Sequence, residues 1–136
     1  MSVFIDTSAF FAILDADDIN YKKGKIIWQH LISEGLTLIC SNYILVESFA
    51  LIQHRLGTEA VRVFQDDIVP LIGIEWIDEA VHMAGVSAAL VADKRNLSLV
   101  DCISFIVMRR LGIKDVFVFD RHFAEAGFNS IDESLC

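Results

Sequence analysis

Residues 2–14 read Ser-Val-Phe-Ile-Asp-Thr-Ser-Ala-Phe-Phe-Ala-Ile-Leu, an apolar run that is interrupted once by polar side chains. The run over residues 2–5 predicts a buried strand, and Asp6-Thr7-Ser8 is typical of the start of a helix, which continues to the end of the segment. The segment therefore predicts a strand followed directly by a helix, with the Asp6 carboxylate at the carboxyl end of the strand.

The same alternation of strand and helix continues along the chain. Further strands are predicted over 36–40, 71–76, 116–119 and 130–131, and helices over 20–35, 42–57, 58–67, 78–94, 98–111 and 121–126. The predicted helix caps are Ser41 or Asn42, Thr58, Asp78 and Ser98, the last paired with Asp101 in a capping-box pattern. This order predicts an α/β fold, a three-layer α/β/α single domain with a central, mostly parallel sheet. In such a sheet, ligands bind outside the carboxyl ends of the strands.

The composition predicts that residues 1–136 fold as one domain. Of the 136 residues, 54% are hydrophobic, and one Pro and 7 Gly do not suggest a linker. No apolar stretch approaches the roughly 20 residues of a membrane span, and Met1-Ser2 leads into the first strand without a basic leader. The three cysteines, which favour a reducing compartment because they are odd in number and widely spaced, are Cys40, Cys102 and Cys136. We therefore expect a cytoplasmic protein with no membrane segment.

The net charge leaves a nucleic-acid partner open. A formal charge of -8 ordinarily counts against phosphate binding, which needs basic surface. The basic residues nevertheless cluster as Lys22, Lys23 and Lys25, then Lys94 and Arg95, then Arg109 and Arg110. These clusters are compatible either with a local basic rim or with solvated helix faces.

Four carboxylates, Asp6, Glu47, Asp101 and Asp120, lie inside or at the end of apolar runs. Apolar neighbours predict burial, and an ionised carboxylate is rarely fully buried unless it is paired, protonated or bound to a cation. Two such charges about 5 Å apart repel by roughly 3 kcal/mol at an effective dielectric constant near 20. If the four side chains converge, hard divalent cations with oxygen ligands are the natural compensation. The pattern therefore predicts a metal site.

Three of these carboxylates also have a structural interpretation, which the sequence leaves open. Asp6 is suited to cap the helix that follows it, and Asp101 to complete the capping box with Ser98. Asp120 stands beside Arg121 and fits a surface turn. Each of these residues therefore has both a structural and a functional explanation.

Glu47 has no capping role, because it lies in the middle of a predicted helix among apolar residues, and its structural alternative is an ion pair with a distant arginine. Thr7, Ser8 and Ser98 are ordinary capping residues unless the neighbouring Asp residues bind metal-coordinated water. The histidines, which have no zinc-binding spacing relative to the cysteines and are interpreted as packing or surface residues, are His30, His54, His82 and His122.

Four fragments occur in a characteristic order: Ile5-Asp6-Thr7-Ser8, Val46-Glu47-Ser48, Leu97-Ser98-Leu99-Val100-Asp101 and Phe119-Asp120-Arg121-His122-Phe123. Together they closely resemble the PIN-domain family, and the match spans nearly the whole chain. Within that family the chain looks most like the small prokaryotic single-domain members, of which the VapC toxins are the best known.

The resemblance implies a Mg²⁺- or Mn²⁺-dependent endoribonuclease whose acidic pocket contains Asp6, Glu47 and Asp101. Asp120 corresponds to a more variable position that completes the site or orients the attacking water. The hydroxyl residues that the family often has beside these acids correspond to Thr7, Ser8 and Ser98, and the candidate phosphate contacts are Arg121, Lys94 and Arg95. Toxin-type members are usually dimers inhibited by a small protein, so we expect RNA, an antitoxin and a second copy of the chain as partners.

Two rival functions share parts of this pattern. A phospho-acceptor receiver domain needs two adjacent acids after the first strand and a Lys after the last, whereas Asp6 stands alone and residues 116–122 contain no Lys. A PIN-like scaffold without catalysis is compatible with the fold, although the presence of all four acids argues against it. Thermal stabilisation by a metal ion distinguishes a functional pocket from such a scaffold.

Overall fold

The computed structural model describes residues 1–135, with side chains up to Ser134. Its strands are β1 (Ser2–Ile5), β2 (Thr37–Ser41), β3 (Gly73–Glu75), β4 (Asp115–Phe117) and β5 (Asn129–Ser130). Its helices are α1 (Thr7–Leu14), α2 (Tyr21–Ser33), α3 (Asn42–Leu56), α4 (Thr58–Val63), α5 (Glu79–Ala92), α6 (Leu99–Leu111) and α7 (His122–Glu125). A π-helical turn (Phe64–Ile68) and a 3₁₀ turn (Val69–Leu71) join α4 to β3, and a second 3₁₀ turn covers Glu133–Leu135.

The five strands form one sheet in the order β3-β2-β1-β4-β5, and all neighbouring strands are parallel. Helices flank this sheet, so the predicted α/β/α fold is confirmed. Within the central strand β1, Phe4 pairs with Ile39 on one side and with Val116 on the other. The strand order reverses at β1, which opens a crevice between the carboxyl ends of β1 and β4.

The core anchors both sides of this crevice. Val3, Phe4 and Ile5 are all fully buried, as expected for a central parallel strand covered on both faces. Phe123 of α7 is also fully buried, with its ring 5.0 Å from that of Phe105 and 6.3 Å from that of Phe4. Burying an aromatic side chain contributes roughly 1.5–3 kcal/mol. The short helix α7 is therefore held to the core at its second residue.

Most of the predicted helix starts are confirmed. Ser41, rather than Asn42, caps α3, and Asp78 caps α5, each through a side-chain oxygen that accepts a backbone hydrogen bond. Ser98 and Asp101 form the predicted capping box at the start of α6. These interactions are local in sequence, which is why residue spacing alone predicts them.

The segment after α3 differs from the prediction. Gly57, not Thr58, occupies the cap position of α4, and its φ of 90° is a conformation that glycine adopts without strain. Thr58 is the first helical residue. The helix expected to reach residue 67 ends as an α-helix at Val63 and continues as the π-helical turn.

The last long strand is also shorter than predicted. β4 ends at Phe117, whereas the apolar run continues to Phe119. The N–H of Phe119 donates to Ser8 Oγ at 3.0 Å. Because a side chain of α1 accepts this hydrogen bond, the residues after Phe117 leave the sheet and Asp120 lies beyond the strand end.

Burial determines the state of the described cysteines. Cys40 and Cys102 are buried and free, and burial raises the pKa of Cys40 to about 12, which keeps its thiol protonated and unreactive. Cys136 lies outside the described residues. Among residues 1–135, we find no helix with the length and apolar character that crossing a bilayer requires.

Candidate active site

Asp6 lies directly after β1 and is only 5% exposed. Its Oδ2 accepts one hydrogen bond from the Ser8 backbone N–H at 3.0 Å and a second from the Ser8 hydroxyl at 2.7 Å. The Ser8 hydroxyl in turn accepts the hydrogen bond from Phe119, so it joins Asp6 to the loop after β4. Asp6 therefore caps α1, as one interpretation predicted, and also borders the crevice.

Glu47 is half-buried on α3 and is supported by a pair of buried hydroxyl groups. The Ser48 hydroxyl donates to Thr7 Oγ1 at 3.1 Å, which joins α3 to α1. Burial raises the pKa of Glu47, and a hydrogen bond from Thr7 partly offsets this rise. Thr7 therefore lies beside Glu47, and its role as an auxiliary residue stays a prediction. Ser48 was not among the predicted site residues. Its position directly after Glu47 is the feature of the sequence that could have identified it.

Asp101 has two roles in the structure. Its Oδ2 accepts from the Ser98 backbone N–H at 3.1 Å, and its own N–H donates to Ser98 Oγ at 3.1 Å. The same Oδ2 lies 3.4 Å from Nδ1 of His122. The capping box therefore fixes a carboxylate that also faces the crevice, and the structural and functional interpretations of Asp101 are compatible.

Asp120 links the other three carboxylates electrostatically. Burial is the largest cause of the raised pKa of Asp6, of Glu47 and of Asp101, and the negative charge of Asp120 adds to the rise in each case. The pKa of Asp6 reaches about 7, from an ordinary value of 3.8. Asp120 Oδ1 accepts the backbone N–H of His122 at 2.9 Å, which holds the carboxylate in a tight turn. Asp120 is therefore close enough to influence the other three carboxylates electrostatically, but among the described residues only Asp101 and His122 join it in a group with metal-ligand spacing, and Asp6 and Glu47 lie outside that group.

His122 is a second residue of the site that the sequence interpretation missed. Its Nδ1 lies 3.4 Å from Asp101 Oδ2 and 3.7 Å from Asp120 Oδ1, and its side chain is 19% exposed. Its charge, when protonated, lowers the pKa of Asp101. The signal in the sequence was that His122 follows Asp120 by two residues. The turn at Asp120 brings the two side chains close together.

The basic side chains line two adjoining pockets. Lys94 and Arg121 line a pocket of about 260 Å³ together with His122. Arg95, next to Lys94, is exposed. The second pocket, of about 420 Å³, is lined by Lys23 and shares Arg121 with the first. The structure therefore brings Lys23, which the sequence showed only as part of a basic cluster, to the rim of the site.

The donor set fits a divalent cation. One ligand atom from each of Asp101, Asp120 and His122 lies within 4.8 Å of the other two. Ligand atoms about 2.1 Å from an octahedral cation are roughly 3 Å apart when adjacent and 4.2 Å apart when opposite. Asp6 and Glu47 lie near this group: after burial, the charges of Asp120 and Glu47 help to raise the pKa of Asp6, and those of Asp101 and Asp120 help to raise the pKa of Glu47. The residues present therefore match the oxygen-rich sites that hold Mg²⁺ and Mn²⁺.

This combination of a parallel sheet and an acidic crevice agrees with a comparison against known families. Residues 3–129 match the model of the PIN domain family, and the chain belongs to that family. Among curated proteins it is similar to the 23S rRNA-specific endonuclease VapC20 from two strains of Mycobacterium tuberculosis, with 30% identity over 127 residues. This match covers 93% of the chain and 95% of the relative.

Solved structures agree with this assignment. The crystal structure of Mycobacterium tuberculosis VapC20, described as a sarcin-ricin loop cleaving toxin, matches with a TM-score of 0.85 and 28% identity over 96% of this chain and 98% of that chain. FitAcB from Neisseria gonorrhoeae matches with a TM-score of 0.70 and 17% identity over the full length of both chains, a likeness of fold alone. The resemblance to VapC-like members of the family is confirmed.

Proposed function

We propose that this protein is a Mg²⁺- or Mn²⁺-dependent endoribonuclease that hydrolyses RNA phosphodiester bonds, and that it is a cytoplasmic, single-domain toxin of a toxin-antitoxin pair. The observation that carries this proposal is that three carboxylates with a raised pKa, those of Asp6, Glu47 and Asp101, all lie within electrostatic reach of Asp120. Mutually repelling buried acids destabilise a fold, and such clusters are characteristic of functional sites. The similarity to VapC20, an RNA endonuclease, supports RNA as the substrate.

The four acids have distinct roles in this proposal. Asp6, Glu47 and Asp101 would hold the cation directly or through water, and Asp120 would complete the site or orient the attacking water. When bound, a divalent cation supplies positive charge at the scissile phosphate and lowers the pKa of water. A hydroxyl residue supports each of the first three acids: Ser8 supports Asp6, Thr7 supports Glu47 and Ser98 supports Asp101.

Cleavage of RNA is expected with Mn²⁺ or Mg²⁺, and it should disappear with EDTA or in a Glu47→Gln variant. This substitution keeps the shape of the side chain but removes the charge that attracts the cation. We would measure cleavage of end-labelled single strands, hairpins and 23S rRNA, including a sarcin-ricin loop hairpin. Glu34→Gln, at the exposed end of α2, is the matched control and should cut like the wild type. Metal-independent cutting, or cutting by Glu47→Gln at the wild-type rate, would contradict the proposal.

The two pockets that share Arg121 are the proposed path of the RNA backbone. Lys23 lines one pocket and Lys94 the other, so a strand that passes Arg121 would meet a lysine side chain in each pocket. Lys23→Ala and Lys94→Ala should each weaken RNA binding whatever the RNA sequence. Each should also reduce the slope of log K for binding against log salt concentration by about 0.7 in magnitude for a single strand. Filter binding at several salt concentrations measures this.

Lys114→Ala provides the control for these two variants. Lys114 is exposed and lies just before β4, at the amino end of this strand, whereas the crevice lies at the carboxyl ends of the strands. Its removal changes the net charge by the same amount but should leave the salt slope unchanged. Equal losses for all three variants would indicate an effect of net charge and would refute the proposed path.

An antitoxin and a second copy of the chain are the partners in this proposal. A largely apolar pocket of about 280 Å³ adjoins Glu47 and is lined by Tyr43, Val46 and Val100. Large apolar side chains are also exposed, among them Trp76, which is 71% exposed. Exposed apolar surface of this kind marks interaction sites. Light scattering on the sample used for cleavage should give twice the chain mass of 15.3 kDa, and a monomer would contradict the dimer.

A further inference from the structure

The Nδ1 atom of His122 lies at the spacing of a metal ligand rather than of a hydrogen-bond donor. Its distances of 3.4 Å to Asp101 Oδ2 and 3.7 Å to Asp120 Oδ1 both exceed the roughly 2.7–3.2 Å of an N–H···O hydrogen bond. They fall within the separations of about 3 to 4.2 Å between atoms that share one octahedral cation. The nitrogen therefore faces two carboxylates across a gap that a cation would fill.

The three donor groups are held by independent supports. The capping box with Ser98 holds Asp101, and the backbone N–H of His122 holds Asp120 at 2.9 Å. His122 itself precedes Phe123, which is fully buried against the core. Donor atoms held by packing and by supporting hydrogen bonds are what a metal site requires. The position of His122 is therefore set by the fold.

An imidazole ligand changes which cation the site prefers. Both Mg²⁺ and Mn²⁺ suit oxygen ligands, but Mg²⁺ is the harder cation and keeps much of its water, whereas Mn²⁺, a first-row transition metal, accepts an imidazole nitrogen more readily than Mg²⁺ does. Resting on the proposed metal-dependent function, we propose that His122 is a nitrogen ligand of the same cation and that it makes the site favour Mn²⁺ over Mg²⁺. The competing explanation is that His122 is a positioning residue that orients Asp101 and Asp120 without binding the ion.

The test uses Mn²⁺ alone with the full chain and no RNA. Pulsed electron paramagnetic resonance of the bound Mn²⁺ should show the hyperfine coupling of a directly bound nitrogen, and ¹⁵N-labelling of histidine should change that coupling. His122→Asn replaces the nitrogen donor with an amide oxygen, so the coupling should disappear. Loss of even a supporting group changes metal affinity by about 10–100-fold, so His122→Asn should weaken Mn²⁺ binding by at least about tenfold. Mg²⁺ accepts the new amide oxygen and should bind nearly as in the wild type, so the ratio of Mn²⁺ to Mg²⁺ affinity should fall by a similar factor. Calorimetric titration with each metal measures that ratio.

Each outcome has a defined meaning. His54→Asn, at an exposed position near the end of α3, is the matched control and should keep both the nitrogen coupling and the metal preference. Bound Mn²⁺ without nitrogen coupling in the wild type would overturn the inference and leave the proposed function standing. Failure of the wild type to bind Mn²⁺ at all would overturn both. The labelling experiment uses no substitution, so the absence of histidine nitrogen coupling in the wild type would overturn the inference even if His122→Asn does not fold.

Discussion

Asp6→Asn is expected to abolish RNA cleavage and, at the same time, to raise the melting temperature of the metal-free protein at about pH 8. Burial is the main cause of the high pKa of Asp6, and the charges of Asp120 and Glu47 add to it. The hydrogen bonds from Ser8 oppose these effects but do not cancel them. Ionised Asp6 is therefore unfavourable in the metal-free fold. Asn keeps an oxygen that accepts the Ser8 hydrogen bonds and remains a good helix cap.

The direction of the pH dependence follows from the raised pKa. The native state holds the Asp6 proton more tightly than the unfolded state, so the contribution of Asp6 to the free energy of unfolding declines as the pH rises from about 4 to about 7. The difference between 3.8 and about 7 sets an upper limit of roughly 4 kcal/mol on this decline. Relaxation of the metal-free site should reduce it, and we expect Asp6→Asn to gain about 1–3 kcal/mol at pH 8 and little at pH 4.

Chemical denaturation at these two pH values, with EDTA present, measures the gain. Asp66→Asn is the matched control, since Asp66 is exposed and the substitution removes the same charge. A variant that still cuts RNA would refute the catalytic role of Asp6. Equal stability of wild type and Asp6→Asn at both pH values would show that the buried carboxylate is not strained.

Mn²⁺ is expected to raise the melting temperature of the wild type by roughly 10 °C at a free concentration a hundred times its dissociation constant, and to leave Asp101→Asn almost unchanged. Binding to the native state alone stabilises it by about 2.7 kcal/mol at that concentration. For a domain of this size each kcal/mol moves the melting temperature by about 3–4 °C. The amide oxygen introduced by Asp101→Asn would still accept the hydrogen bond from Ser98, so the variant should fold while losing a ligand charge.

Asp78→Asn tests whether the effect comes from the cap or from the site. Asp78 also caps a helix through its carboxylate, but it lies at the start of α5 and is exposed. Differential scanning fluorimetry of the three proteins with Mn²⁺ should show the same shift for wild type and Asp78→Asn. The absence of any shift in the wild type would favour the scaffold over the nuclease, because acids that only cap helices or pair with ions gain nothing from a metal.

The sequence by itself determined the elements of the fold and singled out the acids that we propose for the site. The apolar run that stops at Asp6, the capping box of Ser98 and Asp101 and the cap at Asp78 all depend on residues within a few positions of one another. Hydrophobic period and hydrogen bonding between near neighbours therefore predict them. The sequence also predicted that the buried carboxylates converge. Burying a charged carboxylate without a partner is costly, and one cation shared by several carboxylates removes that cost.

Only the tertiary structure decided which groups meet and where the strands end. Ser8 and Phe119 are far apart in sequence, and their hydrogen bond shortens β4 and sets the loop that carries Asp120. The central electrostatic position of Asp120 and the approach of His122 to Asp101 arise because β1 and β4 are neighbours in the sheet and the core holds α7. Local propensity does not specify such contacts, since they depend on the pairing of distant strands and on the packing of aromatic side chains between them.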